Sequence, residues 1–287
     1  VCVSLVGDAG SVDASATVDA VAIDAGPPNC SGPWGAGALV VPPSGTMPDD
    51  TSPAVTGDEY EIFFVQGNVG GGGYFFVSAR TDTSTLFGAR RGLPELDALC
   101  TGSTNAYRSI DVSDDGLRVY VACGGQLLAA HRADRLPTTM FVSDGVVAMP
   151  VSPLPTVVAG ELVLYDDDGT TMTMSRATRS STSVPFGTAM TIAELSGMTL
   201  TAPDLTPDGL MIMGDDRNSS GEYAIFAYTR ATPSGVFDIA SRSMVNLPGT
   251  AQTAQPEVSP SCRSLYYVNF MTGATTGVHP EIWVSHR

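Results

Sequence analysis

Short apolar runs alternate along this chain with clusters of Gly, Asp, Ser, Thr and Pro, and the pattern returns about every 50 residues. A polar run leading into a turn occurs five times: Ser52–Glu59 (SPAVTGDE), Ser109–Gly116 (SIDVSDDG), Leu154–Glu161 (LPTVVAGE), Ala202–Gly209 (APDLTPDG) and Gln255–Cys262 (QPEVSPSC). A β-rich run follows each: Glu61–Val65, Leu117–Ala122, Leu162–Tyr165, Leu210–Met213 and Leu265–Val268. A third run ends in arginine: Phe75–Arg80, Leu127–Arg132, Met172–Arg176, Ile225–Arg230 and Ile282–Arg287. A fourth opens on an aromatic: Trp34, Phe87, Phe141, Phe186 and Phe237. Runs of this length, rich in Val, Ile, Phe and Tyr and bounded by turn residues, predict strands. No sustained apolar period of 3.6 is present, so helix is expected to be almost absent.

Four strands per unit and five units predict an all-β, five-bladed β-propeller of four-stranded antiparallel blades. The two ends of the chain complete each other. The last unit stops after its third strand, at Arg287, while a spare fourth strand, Trp34–Val41, lies near the other end. Pairing the two closes the ring and removes the seam an open sheet edge would leave. The five strand-end arginines, one per blade, are expected to bond carbonyls or a carboxylate beside them as structural groups.

The turn phrase resembles the TolB-type, WD-like propeller repeat, best in Ala202–Arg217 (APDLTPDGLMIMGDDR) and Ser109–Ala122 (SIDVSDDGLRVYVA). Gln255–Val268 keeps the Ser-Pro but has Ser261 and Cys262 where Asp-Gly stands in the others. The resemblance implies the propeller fold and leaves function open among scaffolds, sugar or peptide binders and accessory domains.

Residues 1–29 have another character, with Asp-Ala steps and no aromatic, Lys or Arg, and are expected to form a disordered tether before the propeller of residues 30–287. No stretch is long and apolar enough to span a bilayer. Blade topology brings Cys100 and Cys123 to one face of blade two, and Cys30 and Cys262 to one side of the closing blade. Two disulfides there would imply an oxidising compartment, with other pairings and free thiols as alternatives. Cys2, left over at the head of the tether, looks like the lipidation site of a bacterial lipoprotein, or else is an unpaired thiol. The expected location is therefore exported: periplasmic or an outer-membrane lipoprotein, with the cell surface as a further option.

Thirty acidic residues face fourteen arginines with no lysine, for a formal net charge of −16. That balance excludes nucleic acid and anionic lipid as partners and leaves the membrane only a lipid anchor. In the innermost-strand column stand Ala54, Asp111, Thr156, Asp204 and Glu257. Asp111, Asp204 and Glu257 are expected to converge on the central channel, as a ligand-binding set or as acids at a strand edge facing water. The set is similar in kind to the Asp, Asp, Glu of five-bladed arabinanase- and fructosidase-type glycosidases, though on different blades and without their flanking motifs. A second group, Asp166, Asp168, Asp215 and Asp216, is a candidate surface calcium site in two B–C loops. Calcium is the only cofactor considered. The leading expectation is a monomeric, non-enzymatic binding or scaffolding platform for a protein or carbohydrate partner. The alternative is a glycoside hydrolase or lyase using Asp111, Asp204 and Glu257.

Overall fold

The computed structural model describes residues 30–42, 49–67, 73–100, 108–149, 155–158, 163–167, 173–218, 220–248, 250, 252–273 and 277–287. The tether, Cys2 and Asp168 lie outside them. The chain runs through β1 (Ala38–Leu39) and then into blade one: β2 (Asp50–Val55), β3 (Glu61–Gln66), β4 (Tyr74–Ala79) and β5 (Arg91–Gly92). Helix α1 (Pro94–Asp97) leads into blade two: β6 (Ser109–Val112), β7 (Arg118–Cys123), β8 (Gln126–His131) and β9 (Val142–Ala148). Blade three holds β10 (Thr156–Val158), β11 (Val163–Asp167), β12 (Met174–Thr178) and β13 (Met190–Thr191). Blade four holds β14 (Thr201–Leu205), β15 (Met211–Arg217), β16 (Tyr223–Thr229) and β17 (Asp238–Met244). Blade five is β18 (Thr253–Val258), β19 (Ser264–Gly273) and β20 (Gly277–His286), completed by β1. All five sheets are four-stranded and antiparallel, so the predicted fold and its closure are observed.

The strands read as unbroken apolar runs because blades stack on both faces of each sheet. On β3, Phe63 and Val65 join the core shared with blade two, beside Phe75, Ile110, Val121 and Phe141. Their neighbours Ile62 and Phe64 point the other way, into the core shared with blade five, beside Tyr266, Ile282 and Val284. All four β3 side chains are at most 4% exposed.

A recurring clamp holds each blade together. In the turn after the innermost strand a hydroxyl bonds the carboxylate two residues on: Thr56 to Asp58, Ser113 to Asp115 and Thr206 to Asp208, at 2.6–2.7 Å. The next residue takes a left-handed conformation, with φ of 59° at Glu59, 70° at Gly116, 68° at Gly209 and 57° at Cys262. That conformation presents its carbonyl to the strand-end arginine, whose Nε donates to Glu59, Gly116 or Gly209 at 2.6–2.8 Å. The guanidinium then lies over the aromatic that opens the fourth strand: Arg80 over Phe87 (4.4 Å), Arg132 over Phe141 (5.0 Å) and Arg230 over Phe237 (4.5 Å). The fifth pair, Arg287 over Trp34 at 3.7 Å, is made between the two ends of the propeller.

Blade three corrects the sequence alignment. Arg176 is exposed in the middle of β12, and the clamp is made by Arg179, which lies 4.4 Å over Phe186 and donates to the Tyr120 hydroxyl of blade two. The apolar run was aligned one strand-turn early because Met-Ser-Arg mimics the ending seen in the other blades.

Two disulfides form as expected, Cys30–Cys262 across the closing blade and Cys100–Cys123 within blade two. They mark the chain as exported or extracellular. The closing strand is also fixed by the Gly35 N–H, which donates to His286 at 2.8 Å, and by Ser285, whose hydroxyl donates to Gly35 at 2.6 Å. Arg179→Ala lowers unfolding free energy by about 2–3 kcal/mol in urea titration, from a lost cation–π contact with Phe186 and a lost buried hydrogen bond to Tyr120. Arg176→Ala stays within about 0.5 kcal/mol, as for any exposed side chain; equal effects would refute the reassignment.

Candidate functional site

The innermost strands of blades one, four and five each carry a β-bulge, between Thr51 and Ala54, Thr201 and Asp204, and Ala254 and Glu257. A left-handed residue sits in each, Ser52, Ala202 and Gln255, with φ of 53°, 46° and 53°. A proline follows in every case (Pro53, Pro203, Pro256), and having no N–H to give the ladder it suits a bulge. The residue after the proline turns to the propeller axis. In this way Asp204 and Glu257 join Asp111 of β6 around the central channel.

Asp111 and Asp204 are buried and Glu257 is half-buried, and each is tied down by strand-edge N–H groups. The channel edge of each innermost strand presents a backbone N–H with no strand to pair it. Asp111 accepts from its own neighbour Val112 at 2.7 Å and from Val157 of the next blade at 2.6 Å, with the Thr156 hydroxyl at 3.4 Å. Asp204 likewise accepts from Leu205 and, at 2.7 Å, from Val258 of the next blade. Glu257 accepts from Val55 of blade one. Three carboxylates thus satisfy five N–H groups, one from every blade. Each such hydrogen bond contributes about 0.5–1.5 kcal/mol.

Burial raises all three acids. It pushes Asp111 up to about 7, against the N–H bonds that favour its charge. It pushes Asp204 up to about 8, with the charge of Asp111 adding to the effect. Glu257 is raised well above the usual carboxylate range by burial first, then by Asp204 and Asp111. All three line one cavity on the propeller axis.

Two cavities meet at these residues. The wider, about 320 Å³, opens on the face of the turns that follow the innermost strands, and Asp111, Asp204 and Glu257 line it with Val55, Leu205 and Val258. Asp114, Asp115, Pro207 and Pro260 form part of its rim. The narrower, about 30 Å³, opens on the opposite face between Ser52, Ser109, Gln255 and the prolines, and reaches Asp111 and Glu257 from behind. The turn-face rim was not foreseen; its one sequence signal was the repeated Asp-Asp-Gly and Pro-Asp-Gly turn.

The acids proposed for calcium are separated. Asp215 is buried and accepts from the Thr201 hydroxyl at 2.7 Å and the Gln255 N–H at 3.1 Å. Asp216, next along β15 and so on the opposite face, accepts from Arg242 at 2.8 Å and from the Arg217 N–H at 2.6 Å. Asp166 is buried on β11 in another blade. Among the described residues no group of three His, Cys, Asp or Glu is arranged to hold a metal. His131 and His286 make local bonds, to Asp144 at 2.7 Å and Ser264 at 3.1 Å.

The raised acids carry a pH signature. A carboxyl with a raised folded-state pKa contributes stability that is complete below its unfolded value, near 4, and lost as pH rises through the folded value. For Asp111 and Asp204 that window ends near 7 and 8. Melting temperature should therefore fall by roughly 5–10 °C from pH 5 to pH 8, and Asp204→Asn should flatten the slope. A melting curve that holds or rises with pH would contradict this placement of the acids.

No protein-family model and no curated protein matches the sequence. Solved structures do. The catalytic domain of a GH62 α-L-arabinofuranosidase from Coprinopsis cinerea is similar with a TM-score of 0.62 at 11% identity, covering 90% of this chain and 97% of that one. An α-L-arabinofuranosidase from Podospora anserina, solved with cellotriose, gives 0.59 at 11% identity, covering 91% and 99%. A GH43 endo-arabinanase from Bacillus licheniformis gives 0.54 at 12% identity, covering 83% and 94%. The likeness is one of fold. It sets this chain beside propellers that work as enzymes, and the expected non-enzymatic platform gives way to the glycosidase alternative.

Proposed function

We propose that this chain is a glycoside hydrolase whose working groups are Asp111, Asp204 and Glu257, acting on a neutral, arabinose-type glycan. The observation that carries this is the meeting of three carboxylates of raised pKa in the wall of a cavity on the propeller axis. Glycosidic cleavage needs one carboxyl that holds a proton and one that has lost it. Glu257, raised by burial and by the charges of Asp204 and Asp111, is the acid that protonates the leaving oxygen. Asp111, the least raised and bonded by two N–H groups, ionises first and is the base. Asp204 has its pKa raised by Asp111, and its charge raises that of Glu257. No Lys or Arg is among the residues lining the wide cavity, so uronic acids would find no counter-charge there. The names of the similar structures, arabinofuranosidases and an arabinanase, support the substrate class.

On this proposal the TolB-like turn phrase belongs to the scaffold. The enzyme works outside the cytoplasm, as a periplasmic or surface lipoprotein held by Cys2, and fatty-acid labelling that is lost in Cys2→Ala tests the anchor.

Two outcomes test the activity on a panel of arabinan, arabinoxylan and aryl arabinofuranosides. Glu257→Gln and Asp111→Asn should each lower kcat by at least about 100-fold, the scale of general acid–base catalysis, with the melting transition still cooperative. The wild-type kcat/KM should rise through about pH 7 as Asp111 ionises and fall at higher pH as Glu257 loses its proton. No turnover across the panel, or full turnover by Glu257→Gln, sinks the proposal.

A further inference from the structure

We infer that the channel has two separate entrances, with the sugar seated from the turn face and the hydrolytic water reaching Asp111 through the narrow opposite end. The inference rests on the hydrolase proposal and adds the direction from which each reactant comes.

The two ends differ in size by a factor that decides what each can admit. The wide end, about 320 Å³, is at the lower limit of small-ligand sites and suits one sugar ring. The narrow end, about 30 Å³, exceeds the ~10–15 Å³ a water needs and excludes any sugar. Their walls differ as well. Val55, Val112, Leu205 and Val258 give the wide end an apolar collar against which the C–H face of a sugar can rest. The narrow end is edged by rigid prolines and by Ser52, Ser109, Thr156 and Gln255, whose hydroxyls and amide can hand a water inward. It is kept narrow by a bonded ring: the Ser52 N–H donates to the Gln255 side chain at 2.6 Å, and the Ser52 hydroxyl accepts from the Ile110 N–H at 3.3 Å.

A sugar in the apolar collar blocks the wide end to water, and the remainder of the glycan must leave by that same end. Water attacking from the side away from the leaving group can then come only from behind. Asp111 and Glu257 line both cavities, so the base Asp111 can meet it there, whereas Asp204 lines the wide one alone. In the step, the water oxygen bonds the anomeric carbon while the glycosidic C–O bond breaks. The water proton passes to the Asp111 carboxylate, the Glu257 proton passes to the leaving oxygen, and exchange with solvent resets both.

The test is a pair of obstructions, one at each end, read as kcat against KM. Ser109→Val narrows the water end; it should lower kcat about tenfold or more with KM unchanged, and by more than Ser109→Ala, which removes the same hydroxyl but leaves the passage open. Pro207→Trp, on the exposed turn-face rim, should raise KM instead. Should Ser109→Val fail to fold, Ser109→Thr, which adds only a methyl group, gives the same reading. An unchanged kcat in the narrowed variant, or a raised KM there with none in Pro207→Trp, overturns the two-entrance channel and leaves the hydrolase standing. A wild-type protein inert on every glycan overturns both.

Discussion

The structure depends on one repeated contact, an arginine at the end of the third strand that holds a turn carbonyl with its edge and an aromatic ring with its face. A four-stranded blade has hydrogen-bond ladders to fix its strands side by side, but no ladder fixes the turn before the second strand to the start of the fourth. The arginine spans that distance, and its planar head suits the task in a way an ammonium would not. The left-handed turn residue follows from it, because only that conformation directs the carbonyl at Nε. Glu59 and Cys262 accept the strain where Gly116 and Gly209 would not feel it, and both gain a second function in exchange: Glu59 bonds Tyr266 and Ser264 of blade five, and Cys262 holds Cys30. Between Arg287 and Trp34 the stacking half of that contact becomes the clasp of the ring.

The channel acids are structural and chemical groups at once. They cap the N–H groups that the innermost strands leave open, and burial there gives them the protonation a glycosidase would use. On the hydrolase proposal the dual role sets a conflict, since the ionisation that would start catalysis weakens the ring. Stability and turnover are then expected to favour different pH, which is a common cost of a working site.

Much of this was legible in the sequence. Turn phrases, strand lengths and the complementary ends gave the propeller; the position of Cys30, Cys100, Cys123 and Cys262 on the blades gave both bridges. The place of Asp111, Asp204 and Glu257 on the innermost strands, facing the channel, was legible from their column. What escaped was whatever depends on geometry between blades. The bonds that tie the acids down were missed because unpaired N–H groups facing a neighbour leave no mark in one strand's sequence. Arg179 was passed over because Arg176 ends a better apolar run.

An alternation also runs through the molecule. In blades one, three and five the opening aromatic is followed by glycine (Phe87-Gly88, Phe186-Gly187, Trp34-Gly35) and the outer strand is only two residues long; in blades two and four no glycine follows Phe141 or Phe237 and the outer strand has seven. The acids keep the same rhythm, since Asp111 and Asp204 of the even blades each serve two N–H groups while Ala54 and Thr156 of the odd blades serve none. A ring of five cannot alternate all the way round. Two odd blades must meet once, and they meet at the junction of blades five and one, where Val55 has no even neighbour to serve it. Glu257 is the answer to that mismatch of parity. The group cast as the proton donor is thus the leftover of an odd number, the single acid in the ring with one N–H to satisfy and the rest of its carboxyl unspent.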